Sequence, residues 1–412
     1  MTAMPGCGEG GPLHVVEVPE GSGDVLIAMI AAIGRELGLR AGEGPRVFVV
    51  GPERTAARAV LEGCRLEGRF CPPLRSPLLA TRSLRAAIDA AGTGDGLVVW
   101  GSPVLAGLVH GLRRSAGGRL EWVVTGTIGP MPSWVLRRVR GLRATVLSES
   151  LVAPLGRILT GVSLESVQPW IGRASPLANV SPSTLSRESL RAEWDADDDV
   201  LVVGLAGPEP AWTDYRRAAD VAGIAAVRGT RVRLIGHPDT ARAWRTQRWM
   251  EEVGLARNPL LVDERISRPW EVLAGLDVGL ALGDGVRTAG AEAGGRRWST
   301  LTSRGAGQAT VMATPSIGAL WFARSGLPVL VEEGAIDPEL VGAEGDARFA
   351  VDDPLRATRE VILFAKDRAA CSAAGGRAKA AVDATVLPTC WGRIYGSAND
   401  VASPMRTPVM VA

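Results

Sequence analysis

The chain has 412 residues, 46% hydrophobic and 22% charged, with a formal net charge of +2. That length holds two or three domains with substantial cores, and that composition is ordinary for a globular protein. The near-balanced charge, with only five Phe and two Tyr, argues against a nucleic-acid platform. Five cysteines, none in a C-x-x-C pair, imply neither a disulfide framework nor a zinc site. The first residues, M-T-A-M-P-G-C-G-E-G-G, lack the basic and apolar stretches of a signal peptide. The longest apolar run, 25–33, is too short to cross a bilayer. A cytoplasmic protein is expected, with peripheral membrane contact left open.

In chain order, residues 1–12 read as a flexible tail. Short apolar segments at 13–18, 46–50, 97–100, 121–124, 144–147 and 166–168 read as strands, with helical stretches between most of them. Leu26, Ile30, Ile33 and Leu37 recur at helical spacing, with Asp24 placed to cap that helix and Gly38 to end it. The Pro/Ser-rich stretch 170–186 has no period and reads as a linker. The pattern then restarts, with strands at 200–203, 231–235, 260–262, 277–282 and 328–331 and helices at 211–227, 239–253 and 269–274. Residues 283–312 form a Gly/Arg/Ser/Thr-rich loop, either a mobile lid or plain disorder. A long helical tail spans 353–396. Strands alternating with helices predict an α/β protein with mainly parallel sheets covered on both faces. The domains expected are 13–169, 187–380, and a closing helix and tail over 381–412.

One unit repays a closer reading. Residues 314–331 are T-P-S-I-G-A-L-W-F-A-R-S-G-L-P-V-L-V. Thr314 suits a helix N-cap and Pro315 the first helical position; Gly326 ends the helix, and a strand follows. Ile317, Leu320 and Trp321 form its buried face. The amides of Ser316, Ile317 and Gly318 would then point out of an electropositive end suited to a diphosphate; the alternative is an ordinary helix whose end faces water. Gly21, Ser22 and Gly23 have a similar double reading: a loop that lets a ligand approach the backbone, or a tight strand-to-helix turn. Glu332 and Glu333 follow the last strand at the carboxyl edge, either contacting a ligand hydroxyl or solvated. His237, in I-G-H-P, sits in a cleft-facing loop, whereas His110 suits packing or the surface. Arg287, Arg296, Arg297 and Arg304 of the long loop either fold over a ligand or stay solvated.

Several of these segments resemble the GT-B glycosyltransferases, and among them the retaining family 4 group. S-R-E-S-L-R-A-E-W-D-A-D-D-D-V-L-V-V-G-L-A-G is similar to that family's opening helix, strand and glycine-bearing loop, which ends here at Gly207. R-V-R-L-I-G-H-P, W-E-V-L-A-G-L-D-V-G-L-A-L and S-G-L-P-V-L-V resemble its later segments in order. In the first half, G-S-G-D-V-L-I-A-M-I and A-T-V-L-S-E-S-L occupy corresponding places. The resemblance implies two Rossmann-like domains facing each other across a cleft, 13–169 taking the acceptor and 187–380 the donor. The closing helix would cross back to the first domain. Donor contacts would fall on Ser316, Ile317, Gly318, Gly207, His237, Glu332 and Glu333, with Gly21, Ser22 and Gly23 across the cleft beside the sugar-phosphate.

The chain departs from that pattern where chemistry is concentrated. The family's paired carboxylates would fall on Ala313 and Trp321. Its basic pair after the first strand of the second half is missing until Arg216 and Arg217, and its frequent histidine is replaced at Gly126 or Thr127. No catalytic residue is named by the sequence. The implied function is transfer of a sugar from a nucleotide-sugar donor to a hydroxyl of a glycan or lipid-linked acceptor, with no metal or other cofactor and no nucleic-acid partner. The alternatives are a non-catalytic GT-B-like protein that binds nucleotide-sugar or glycan, and a nucleotide-sugar 2-epimerase, for which the sequence is poor in acid/base candidates.

Overall fold

The computed structural model describes residues 12–18, 23–37, 46–51, 58, 60–62, 68–71, 77–91, 96–113, 120–129, 131–171, 185–207, 215–238, 248, 250, 252, 259–283, 286–287, 310–350 and 353–395. In the first half, β1 (Leu13–Glu17), β2 (Arg46–Val50), β3 (Gly68–Cys71), β4 (Leu97–Gly101), β5 (Leu120–Val124), β7 (Arg143–Val146) and β8 (Ser163–Ser166) form one parallel sheet in the order β3-β2-β1-β4-β5-β7-β8. Central strands of such a sheet are covered on both faces, so they read as continuous apolar runs. The register is set there, with Leu13 opposite Arg46 on one side and Leu97 on the other.

In the second half, β9 (Leu201–Ala206), β10 (Val232–Gly236), β11 (Leu260–Val262), β12 (Val278–Ala281), β15 (Val329–Glu332) and β16 (Arg348–Phe349) form a second parallel sheet, ordered β11-β10-β9-β12-β15-β16. Both orders are doubly wound. The chain reverses direction across the sheet between β1 and β4, and again between β9 and β12, which opens a crevice at the carboxyl ends of those strands. The chain therefore has two Rossmann-like lobes, as the alternating pattern predicts. β3 was not anticipated: G-R-F-C is too short to show a period.

The helix on β12, α8 (Gly318–Arg324), is buried at every residue from Gly318 to Ala323, not along one face only. Close approach makes this possible: a methyl group on Gly279 would lie 2.5 Å from the Phe322 ring, so only glycine lets the helix settle on the strand.

The stretch expected to be a mobile loop is anchored at both ends. β13 (Val286–Arg287) and β14 (Thr310–Met312) pair antiparallel, and β14 pairs in turn with β6 (Thr127–Ile128) of the first half, Met312 opposite Thr127. Val311 and Ala313 are buried in the first lobe's core, which explains the anchoring of an apolar T-V-M-A segment. Residues 288–309, with Arg296, Arg297 and Arg304, lie outside the described residues.

The helical tail is three helices: α9 (Pro354–Lys366), α10 (Arg368–Ala384) and α11 (Thr389–Ile394). Asp367 leaves helical geometry and caps α10 by accepting from the Ala369 and Ala370 amides at 2.9 Å, and Pro388 precedes α11. The segment 269–274 falls within a series of 3-10 turns, among them Pro269–Glu271 and Leu273–Gly275.

α11 returns to the first lobe. Trp391 stacks on Trp100 with ring centroids 5.5 Å apart and planes 11° from parallel, and its indole donates to Gln168 O at 3.3 Å. Tyr395 donates to Ile30 O at 2.9 Å. His14, under the same cluster, accepts at Nδ1 from the Trp100 indole at 2.9 Å. An indole only donates, so the His14 proton sits on Nε2; burial lowers this histidine's pKa to about 3 and keeps it neutral. Trp170 and Ile171, at the start of the expected linker, are buried, and Trp170 donates to Thr385 O at 3.3 Å.

The second lobe contains a buried charge. Asp277 pairs with Arg187 at 2.6 Å and Arg191 at 3.0 Å, and accepts from the Val202 amide at 2.8 Å. Burial alone would raise its pKa; the Val202 hydrogen bond and the two guanidinium groups carry it below the ordinary range instead.

Three outcomes are expected. Trp391→Ala empties the aromatic cluster and should cost about 3 kcal/mol or more in urea denaturation. Asp277→Ala leaves Arg191 buried without its counter-charge and should cost about 3 kcal/mol. Because the folded pKa of Asp277 lies below its unfolded value of about 3.9, its stabilisation is present above that value and is lost as pH falls through the folded pKa. Unfolding measured from pH 5 to pH 2 should therefore show a shallower acid loss in Asp277→Asn than in the wild type.

Candidate functional site between the lobes

A crevice lies between the lobes beside the carboxyl end of β9. From the second lobe it is lined by Gly207 after β9, His237 after β10, the Ile266–Ser267 turn, and Ile317 and Gly318 at the start of α8; from the first it is lined by Val25 and Leu26 of α1 (Gly23–Glu36). About 50 Å³ between these walls is open to solvent, less than a small-molecule site usually holds.

Local sequence explains how each group is held. Tyr215 is buried; its hydroxyl accepts from the His237 amide at 2.9 Å and donates to His237 O at 3.3 Å, which fixes the loop carrying that histidine. The Tyr215 ring lies over Gly236, where a methyl group would come within 3.1 Å of it. Polar contacts cross the crevice. The Gly126 amide donates to Thr314 Oγ1 at 2.7 Å, and Arg268 Nε lies 3.9 Å from Asp24 Oδ2.

The expected site residues do not all come together. Gly207, His237, Ile317 and Gly318 come together in the crevice. Ser316 and Glu332 do not, which corrects the expectation for both. Ser316 is fully buried: its amide donates to Ala335 O and its hydroxyl to Leu282 O, each at 2.7 Å. Glu332 is equally buried, ion-paired with Arg217 and accepting from the Gly283 amide at 2.7 Å. Glu333, one residue on, is exposed and lines a different cavity. Gly21 and Ser22 lie outside the described residues, and Gly23 begins α1.

The helix end is also organised differently from the expectation. Thr314 does not cap α8, because its hydroxyl is engaged across the crevice; the N-cap position falls on Ile317, with no side-chain cap. The Ile317 amide turns back to Pro315 O at 2.8 Å. The amides of Ser316 and Ile317 thus have protein partners, and the electropositive cradle read from T-P-S-I-G is not formed by them. Ala313 and Trp321, at the places of the paired carboxylates, are buried, and Trp321 meets Trp270 edge-on at 5.2 Å.

Sequence reading missed Glu17. It ends β1 beside the end of β4 and accepts from the Ser102 amide at 2.7 Å. Burial raises its pKa, and the Ser102 hydrogen bonds oppose that shift in part. A carboxylate closing an otherwise apolar strand was the available signal. Among the described residues no group of three His, Cys, Asp or Glu is placed to hold a metal, and no helix is long and apolar enough to cross a membrane.

Two facing doubly wound lobes, with the final helix returning to the first, define the GT-B glycosyltransferase fold. Solved structures agree. The chain is similar to a glycosyltransferase from Rickettsia africae (TM-score 0.57, 11% identity, covering 91% of this chain and 93% of that one). It is also similar to the Anabaena protein HepE in complex with UDP and glucose (TM-score 0.59, 12% identity, covering 90% and 94%). No family model and no curated protein sequence matches it.

Thr314→Val should leave the Gly126 amide without its cross-lobe acceptor. A loss of about 1–2 kcal/mol in chemical denaturation is expected, and a change within 0.3 kcal/mol or so would show that water replaces the bond at no cost.

Proposed function

We propose that the chain is a glycosyltransferase-like protein that takes a nucleotide-sugar donor into the crevice, chiefly against the second lobe, and passes the sugar to a hydroxyl of a glycan or lipid-linked acceptor. The observation that carries this reading is the doubly wound order of both lobes, with a crevice between them lined by the end of β9 and the start of α1. The fold shared with HepE, whose structure holds UDP and glucose, supports a uridine nucleotide as the first donor to try. Gly207, Gly318 and His237 are the groups that would meet it. Such a donor needs more room than the described walls leave, so binding requires the crevice to widen on the Asp24–Arg268 side, the Thr314 side being tied to the first lobe by the β14–β6 pairing.

A second reading has its own observation. Ala313 and Trp321 are buried apolar groups where donor-binding carboxylates are expected, and the Ser316 amide has a protein partner. That favours a protein of the same fold that binds nucleotide-sugar or glycan without transferring it.

Melting curves with UDP-, GDP-, ADP- and TDP-sugars test the first step. One of them at a hundred times its Kd should stabilise the protein by about 2.7 kcal/mol, and His237→Ala should weaken it roughly tenfold. No shift with any of the four sinks the donor assignment. Release of nucleoside diphosphate in the presence of acceptor then decides between the readings: a shift without turnover establishes the binding protein.

A further inference from the structure

A second cavity lies between the lobes, away from the switch points. It is an open depression offering about 490 Å³ of solvent-accessible space, roughly ten times the volume of the crevice and within the range of small-molecule sites. Its first-lobe wall is the Ser148–Glu149–Ser150 turn after β7; its second-lobe wall is formed by the ends of β15 and β16. The S-E-S turn belongs to A-T-V-L-S-E-S-L, a segment to which the donor site gives no role.

The chemistry of the walls is specific. Val331 and Ile336 give an apolar floor. Around it stand hydroxyl, carboxylate and guanidinium groups from both lobes. The Ser148 and Ser150 hydroxyls are 2.8 Å apart, and Glu149 accepts from Ser166. Opposite them, Asp337 uses Oδ1 to hold the Glu339 amide at 3.1 Å, and Arg348 holds Ala343 O through Nε at 2.8 Å. The Glu333 carboxylate has no hydrogen bond or ion pair among the described residues, although it borders the space. Carboxylates only accept, guanidinium groups only donate, and hydroxyls do both. Such a mixed rim over an apolar floor matches a ligand with an apolar face and many hydroxyls on its edge. Three carboxylates, Glu149, Glu333 and Asp337, against Arg348 and Arg356 disfavour an anionic ligand.

We propose that this cavity is a saccharide subsite that takes a neutral sugar unit of the acceptor, held between the Ser148–Ser150 turn and Glu333. The proposal rests on the transfer reading, since it supplies that reaction's second substrate, but it is tested apart from the donor. Both Ser150 and Glu333 are exposed, so substitutions there are compatible with folding.

The labelled full-length protein would be applied to an array of neutral, amino and uronic-acid glycans. Retention on neutral glycans is expected, falling at least about tenfold in Ser150→Trp, which fills the cavity, and in Glu333→Gln, which removes the charged acceptor. The UDP-sugar melting shift of Ser150→Trp should equal that of the wild type. The proposal is overturned if the wild type retains no glycan, if uronic-acid glycans are preferred, or if both variants bind as the wild type does. A donor shift without glycan retention removes this subsite and leaves the transfer reading standing; retention without any donor shift does the reverse.

Discussion

The arrangement of the two lobes depends on a stack of aromatic rings. Each doubly wound sheet explains its own lobe, yet neither dictates where the other sits. That is set where the end of the chain returns: Trp391 lies flat on Trp100, with Tyr395 and His14 packed around them. Almost no surface of this cluster reaches solvent, so its contribution is apolar burial and ring contact, insensitive to salt. A charged group at its centre would undo it. His14 avoids this by accepting the Trp100 indole proton while remaining neutral. One continuous core then runs from α1, through α8, to α11.

The other crossings are of a different kind. The Thr314–Gly126 hydrogen bond is only partly buried, and the Asp24–Arg268 pair is 3.9 Å long. Water can replace such contacts at a cost of about 1 kcal/mol each, whereas separating the tryptophans exposes large apolar faces. Those two contacts are not the whole of the crevice side: β14 pairs with β6, the Ala313 amide donates to Gly126 O at 2.8 Å, and Leu26 shares one apolar core with Ile317, so that side is also held by backbone pairing and apolar burial.

Much of the fold was legible because its signals are local. The strands 46–50 and 260–262 have the expected limits: β2 carries an apolar run buried inside its sheet, and β11 is apolar throughout although it lies at the sheet edge with Val262 exposed. The recurrence of Leu26, Ile30 and Ile33 marks α1, although every residue from Leu26 to Ile33 is buried and not that stripe alone. What was illegible was tertiary. Nothing in T-V-M-A announces that β14 will pair with β6, because the partner strand is two residues long and far away in the chain. The same holds for Thr314. Its position before a proline is that of a helix cap, and only the approach of Gly126 from the other lobe draws its hydroxyl away. Ser316 and Glu332 were placed near the correct strand ends, but their side chains turn inward, a choice made by Leu282 and Arg217.

Those inward turns bear on chemistry. Arg217 is one of the first two basic residues after β9. It is paired with a fully buried glutamate, so its charge is already answered within the lobe. The carboxylate positions are occupied by Ala313 and Trp321, and two of the amides at the start of α8 have protein acceptors. Catalysis requires interactions that strengthen as charge develops on the leaving group; recognition needs only complementarity to the resting ligand. A crevice whose described charges are neutralised in advance satisfies the second requirement more readily than the first. The GT-B framework is thus kept here with the described charges near the start of α8 turned inward: Arg217 answers Glu332, and the Ser316 and Ile317 amides answer backbone carbonyls of the same lobe.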